Sequence, residues 1–220
     1  MSRDKPSKGK GLSRAWAILA IVYAFFFYWY TSFGGPLRDD EIAHYTEVLA
    51  HTPTTDADRE RWIGFMESDT GDDFAMWNAV DFFDTPEPGP GVNLDDTSQD
   101  VANRYTEPFF AMALRRASHP VMGGEAAAPA LDVWGIEGGE TWDSGLLVRY
   151  RSRRDVMEIM EAMTTSGSDI HSFKVAALEK TIAFPLDPWI QAGDPRLLLA
   201  LVFLVVGLAI QLRHEARAGT

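Results

Sequence analysis

The stretch "GLLVRYRSRRDVMEIM" (Gly145–Met160) changes its periodicity in the middle, and that change decides how the chain is layered. As far as Ser152 it alternates like a strand, with Leu147, Arg149 and Arg151 on one side and Val148, Tyr150 and Ser152 on the other. Beyond it, Val156, Ile159, Met160 and Met163 recur at i, i+3, i+4 and i+7, the apolar face of a helix. Ser152 stands at the junction with Asp155 three residues later, the pattern of a capping box. Arg153 and Arg154 fall in the first helical turn, where the macrodipole opposes positive charge by ~0.3–1 kcal/mol each. Two readings account for the four arginines. In one, Arg149, Arg151, Arg153 and Arg154 surround an anion, a carboxylate or phosphate, at the helix N-terminus, or serve an interface. In the other they pair with the chain's own acids, such as Asp155, Glu158 and the carboxylates of "DFFD" (Asp81–Asp84).

Outward from this junction the chain reads as alternating elements. "DDFAMWNAVDFFD" (Asp72–Asp84) is apolar on both alternating faces, as expected of a central strand. "TPEPGPGVNLDDTSQD" is a loop set by its prolines and glycines. "SQDVANRYTEPFFAMALRRASH" is helical by Val101, Tyr105, Phe109, Met112 and Ala113, with Pro108 expected to kink it or mark a restart. "PVMGGEAAAPALDVWG" is expected to be a strand with a glycine bulge or bend, ending at Trp134. After the Gly145–Met160 junction come a helical piece, "DIHSFKVAALEK", and a short strand, "TIAFPLD". The order strand, helix, strand, strand, helix, strand is the βαββαβ order of a ferredoxin-like plait in the α+β class, placed at residues 71–188. Ahead of it, "LRDDEIAHYTEVLAHT" and "PTTDADRERWIGFMESD" predict a helical hairpin at residues 36–70, the second helix opening on Thr55 as N-cap.

Two uncharged runs flank this domain. "AWAILAIVYAFFFYWYTSFG" (Ala15–Gly34) is long enough for about 30 Å of helix, and "LLLALVFLVVGLAIQL" (Leu197–Leu212) for about 24 Å, with Arg196 and Arg213 placed to snorkel. Both are expected to span a membrane, at residues 15–34 and 196–213, with aromatic belts at Trp16, Tyr28, Trp29, Tyr30 and Trp189. A cleaved signal peptide is the competing reading of the first run, but its apolar stretch is longer than such regions usually are and ends in large aromatics. Residues 1–14 sum to +4 and residues 213–220 to +1, which leaves −17 between the spans in a chain of formal net charge −12. The positive-inside rule then predicts a two-pass protein of the cell (inner) membrane, with basic cytoplasmic tails at 1–14 and 214–220 and the main domain periplasmic or extracellular. So acidic a domain repels nucleic acid and anionic lipid head groups, and no nucleic-acid partner is expected.

"FAMWNAVDFFD", the arginine-bearing helix ending in "HPVMGG", "LLVRYRSRRDVMEIM" and "HSFKVAALEKTIAFP" together resemble the uncharacterised family labelled DUF1330, within the dimeric α/β-barrel superfamily. The resemblance covers roughly Phe74–Pro185 and omits the hairpin and both spans. It implies two plaits pairing through their sheets. The superfamily includes small-molecule monooxygenases, lactone isomerases and haem enzymes, so the resemblance implies no single reaction.

No cysteine occurs, which excludes disulfides, zinc thiolates and thiol catalysis. GxSxG, GxxxxGK[ST] and GxGxxG are absent, removing the simplest hydrolase and nucleotide-binding readings. "ESDTGDD" (Glu67–Asp73) lacks calcium-loop spacing and reads as a turn. His44 and His51 are seven residues apart and His171 begins a helix, so no metal-binding pair is formed. Neither a metal nor a cofactor is expected. His119, after Arg115 and Arg116 and before Pro120, fits either a helix C-terminal cap or an acid or base in a cleft. Asn78, polar in the middle of a buried strand, needs hydrogen-bond partners, either in a structural network or on a ligand. The candidate ligand pocket is therefore Asn78, His119, Trp134, Arg149 and Tyr150. Two functions follow. One is a non-catalytic interaction or accessory domain, either a homodimer or a subunit of a larger membrane complex; the other is a membrane-tethered enzyme or sensor for a small organic molecule.

Overall fold

The structure, a computed structural model, describes residues 8–52, 54–165 and 170–218. The expectations for the tails at residues 1–7 and 219–220, and for Pro53 and Asp169 within the helical pieces, lie outside the described residues. The chain forms two compact units, one from the terminal segments up to Thr31 and from Ile190, the other from Ser32–Trp189.

The terminal unit consists of α1 (Lys8–Tyr30) and α7 (Pro195–Ala218). Within them Gly11–Tyr30 and Pro195–Arg217 are long and apolar enough to cross a membrane. α1 stops at Tyr30, short of the expected Gly34, before a segment holding Ser32, Gly34, Gly35 and Pro36 that does not sustain a helix. The two helices pack closely: a Cβ added at Gly207 would collide with the Trp16 ring, and the Tyr23 hydroxyl donates to the Arg196 carbonyl at 3.2 Å. Arg196 forks onto Asp194 at 2.6 Å and lies over the buried Tyr30 ring, 5.5 Å from its centroid.

The second unit begins with α2 (Asp39–Ala50) and α3 (Asp56–Glu67). Thr55 caps α3 by accepting from the Asp58 amide at 3.1 Å. The following elements are β1 (Phe74–Phe82), α4 (Ser98–Arg115), β2 (His119–Glu125), β3 (Ser144–Tyr150), α5 (Arg153–Thr165), α6 (Ile170–Ala177) and β4 (Leu178–Leu186). The strands form one antiparallel sheet in the order β2-β3-β1-β4. β1 pairs on both sides, Phe74 opposite Tyr150 and Asn78 opposite both Leu146 and Ala183. β4 is an edge strand and therefore tolerates Pro185, which has no amide to give to a ladder.

Opposed residues of an antiparallel pair point to one face. Phe74, Met76, Val148 and Tyr150 accordingly share a face and pack with Trp62 and Phe65 of α3, Phe109 and Phe110 of α4, and Val156 and Met160 of α5. Leu37, Tyr45, Leu49 and Met66 join Met157 in a second cluster, so the α2–α3 hairpin is built onto α5 inside the same unit. Val101 and Ala102 of α4 meet Ala176 and Ala177 of α6 in a third.

Three expectations change. α4 runs unbroken through Pro108. It ends in a Schellman motif, Ser118 N–H to Ala113 O at 2.9 Å and Ala117 N–H to Leu114 O at 3.1 Å, with Ala117 at φ 54°; this motif, rather than His119, closes the helix. β2 ends at Glu125, not at Trp134: Glu125 lies opposite Ser144, the first residue of β3, and beyond that pair the ladder gives way to isolated backbone bonds, Ala126 N–H to Asp143 O at 2.7 Å and Ala130 N–H to Glu140 O at 2.8 Å.

Candidate functional site

The arginine junction is tied down at every guanidinium. Ser152 and Asp155 form the capping pair, the Asp155 amide donating to Ser152 Oγ at 3.1 Å and the Ser152 hydroxyl to Asp155 Oδ2 at 2.9 Å. Arg151 forks onto the same Asp155 at 2.7 and 2.8 Å. Arg149, 1% exposed, donates twice to Asp73 Oδ2, at 2.8 and 3.0 Å, and once to the Ala117 carbonyl at 2.7 Å. Arg153 faces Asp69 at 3.6 Å, donates to Ser68 Oγ at 2.8 Å and to the Phe65 carbonyl, and stacks 4.5 Å over the Phe65 ring. Arg154 forks onto Glu41 at 2.7 and 3.1 Å and reaches the Pro36 carbonyl at 3.1 Å. That fork holds the Glu41 carboxyl down to about 2.

These carboxylates differ in part from the expected ones. Asp155 is as anticipated, but Glu158 pairs with Arg116 at 2.9 Å, and Asp81 pairs with Lys180 at 3.1 Å. Asp81 is at the wrong end of β1, since Arg149 lies opposite Ala75. Arg149 and Arg153 instead use Asp73 and Asp69 of "ESDTGDD", and Arg154 uses Glu41 of α2. The "ESDTGDD" turn is held by Gly71 at φ +84°. A Cβ on Gly71 would sit 2.5 Å from the Gly35 backbone, so only glycine fits.

The other arrangement is a cleft of about 1490 Å³ between the helical face of the sheet and the helices. It brings together two of the five candidate pocket residues, Asn78 and Tyr150. Asn78, half-buried, donates from Nδ2 to the carbonyls of Met76 at 3.1 Å and Leu146 at 3.3 Å, which supplies partners for its amide N–H groups. The other three lie elsewhere. Arg149 points to the opposite face, His119 is opposed to it on β2 with Nδ1 2.9 Å from the Pro120 carbonyl, and Trp134 is 94% exposed in the β2–β3 loop.

Tyr105 of α4 and Lys174 of α6 are among the other residues that line the cleft. Burial pushes the Tyr105 phenol up to about 12 and the Lys174 ammonium down, and it raises Tyr150 as well, with Tyr105 close enough to add to that rise. The Lys174 ammonium lies 5.7 Å from the Tyr105 ring centroid. Tyr105 stacks on Phe109 at 5.9 Å. The sequence did carry a signal for Lys174: it sits four residues after Ile170 and three before Ala177, a lysine on the apolar stripe of its helix.

The reverse face of the sheet is covered at one end, where Arg149 and Ala75 are buried, and exposed beyond it. Met122, Leu147, Trp77 and Phe184 form one row across all four strands, with Ile182 and Leu186 beside it. Met122 is 59% exposed, and Ile182, Phe184 and Leu186 are each about 40% exposed. Trp77 lies against Gly145, where a Cβ would be 3.0 Å from its ring.

No family model matches the chain, and no curated protein matches it. Among solved structures, a crystal structure of methylated RPA0582 protein is similar with a TM-score of 0.50 and 20% identity, covering 65% of this chain and 96% of its own. A second structure of RPA0582, a protein of unknown function from Rhodopseudomonas palustris solved as a structural genomics target, gives a TM-score of 0.49 and 19% identity, covering 64% and 97%. The first likeness shows a shared α/β fold, and both neighbours are functionally uncharacterised.

Proposed function

We propose that the chain is a two-pass membrane protein whose central domain, a ferredoxin-like plait of the kind its resemblance to the DUF1330 family implies, is a non-catalytic interaction module. It pairs through the exposed part of the reverse face of its sheet, with a second copy of itself or with a subunit of a larger membrane complex. The observation that carries this reading is the apolar row Met122, Leu147, Trp77 and Phe184, exposed at Met122 and Phe184 and half-buried at its centre, on a domain that otherwise carries strong negative charge. Further support comes from the arginines, each occupied by a carboxylate of its own chain. In this proposal both termini are cytoplasmic and the domain lies outside the membrane on the far side, as the lysine and arginine bias indicates.

Because the chain has no cysteine, Phe184→Cys introduces a single reactive site. Thiol cross-linking in native membranes is expected to trap a species of twice the chain's mass, or a mixed species if the partner is a different subunit. The Phe184→Cys variant remaining monomeric with both thiol–thiol and thiol–amine cross-linkers of every length overturns the reading. A reporter active only outside the cytoplasm, fused after residue 90, is expected to be active; a silent one refutes the orientation.

The cleft favours a second reading, a tethered sensor or enzyme for a small organic molecule, on the ground that its volume suits one and its lining is mostly apolar with a few polar groups.

A further inference from the structure

The cleft's polar lining is mixed, Asp58 and Glu179 among it, but the part around Lys174 has a definite chemical character. Lys174, Tyr105 and Tyr150 all face the same space, bounded by Met76, Phe109 and Val148. Among the described residues Lys174 has no carboxylate partner, its one contact being the Tyr105 ring, and neither tyrosine hydroxyl has a hydrogen-bond partner. Every arginine of the nearby junction is neutralised, so Lys174 is the cation in this lining that lacks a counter-charge among the described residues; Lys180, which also lines the cleft, is taken by Asp81 at 3.1 Å. A cation and two O–H donors against an apolar wall are complementary to an anion with an apolar body.

Resting on the second reading above, we infer that the cleft binds an apolar carboxylic acid, its carboxylate held by the Lys174 ammonium and the Tyr105 and Tyr150 hydroxyls, and its hydrocarbon or aromatic body laid against Met76, Phe109 and Val148. The depressed basicity of Lys174 fits this: burial penalises an ammonium without a counter-ion, and a carboxylate beside it removes the penalty. Asn78 orients this wall rather than the anion, because its amide N–H groups are engaged by the Met76 and Leu146 carbonyls.

The test uses the full chain in lipid nanodiscs at neutral pH, with empty discs as the blank, and two probes of the same shape, 2-naphthoate and the uncharged 2-naphthamide, followed by saturation-transfer NMR titration. Naphthoate is expected to bind about tenfold or more tighter than naphthamide, as a charge-assisted contact worth about 1.5–3 kcal/mol requires. Lys174→Met is expected to abolish that preference while retaining the near-ultraviolet dichroism of the native domain. Lys174→Arg is expected to keep it, and Tyr105→Phe to weaken naphthoate alone. Equal binding of both probes, or a preference surviving Lys174→Met, overturns the carboxylate inference and leaves a cleft for neutral molecules. Failure of both probes to bind overturns the inference together with the reading beneath it.

Discussion

Replacing Arg149 by methionine keeps the length of the side chain and removes its charge and its fork. Arg149 is 1% exposed and makes two bonds to Asp73, which is 21% exposed, and one to the Ala117 carbonyl. Breaking a buried pair from one side costs about 3–5 kcal/mol, because the remaining charge is left in a poorly solvated site. The partial exposure of Asp73 allows some rehydration and moves the expectation to the lower part of that range, about 3 kcal/mol. Ala117 adds to it: its φ of 54° is unfavourable for a residue with a Cβ, and its carbonyl loses a charged donor. The sum, about 3–4 kcal/mol, corresponds to a fall in Tm of roughly 6–16 °C for a domain of this size. Thermal unfolding of the full chain in nanodiscs, followed by near-ultraviolet dichroism and tryptophan fluorescence, measures it. Arg149→Lys, which keeps the charge without the fork, is expected to fall between. An Arg149→Met variant melting within about 2 °C of the parent refutes the assignment of Arg149 as the tie between β1, β3 and the end of α4.

Glu41 carries a pH signature. Its carboxyl is held down to about 2 by the Arg154 fork, so the stability it contributes is full above the unfolded value near 4.5 and is lost as pH falls from there toward 2. With solvent screening of a pair at the domain's margin, about 1–2 kcal/mol separates the parent from Glu41→Gln above pH 5; the two denaturation curves should converge by pH 2, and parallel curves contradict the pairing. Asp155→Ala removes both the cap of α5 and the partner of Arg151, and is expected to cost about 2 kcal/mol in urea denaturation, whereas Arg38→Ala, at an exposed pair, should leave the midpoint unchanged. Gly207→Leu would push α7 off the Trp16 ring, so a cysteine pair placed across α1 and α7 should cross-link less in that variant; undiminished cross-linking argues against the close approach.

Local pattern alone was enough wherever the determinant was a repeat along the chain. The alternation from Phe74 to Phe82, the 3.6-residue face from Val156 to Met163, the Thr55 and Ser152 caps and the two long apolar runs are all local, and each reappears as an element at nearly the expected place. Even the ends of elements failed when they depended on a neighbour. β2 stops at Glu125, opposite Ser144 where β3 begins; Ala126–Ala128 and Pro129 are poor strand formers, but the exact end is set by the partner strand. Pro108 was expected to disturb α4 and did not, since the helix that surrounds it is packed through Val101, Ala102, Phe109 and Phe110.

Pairing across space decided the rest. The residue types of the arginine junction showed that counter-charges were needed, and only the sheet register showed that Asp73, beside Arg149, was within reach while Asp81, at the far end of the same strand, was not. The strand pattern put Asn78 and Tyr150 on one face and Arg149 on the other, but a face becomes a cleft only when helices stand away from it, and the separation of α4 and α6 from β1 is set by the whole packed core. Lys174 and Tyr105 are 69 positions apart and carry no mutual signal in sequence. Their meeting follows from the packing of α4 on α6 through Val101, Ala102, Ala176 and Ala177, small side chains that let the two helices approach and turn both polar groups into the same space. Periodicity along one segment is a local property that a sequence states directly; which segments then face one another is a balance of burial over the entire domain, and only the folded chain expresses it.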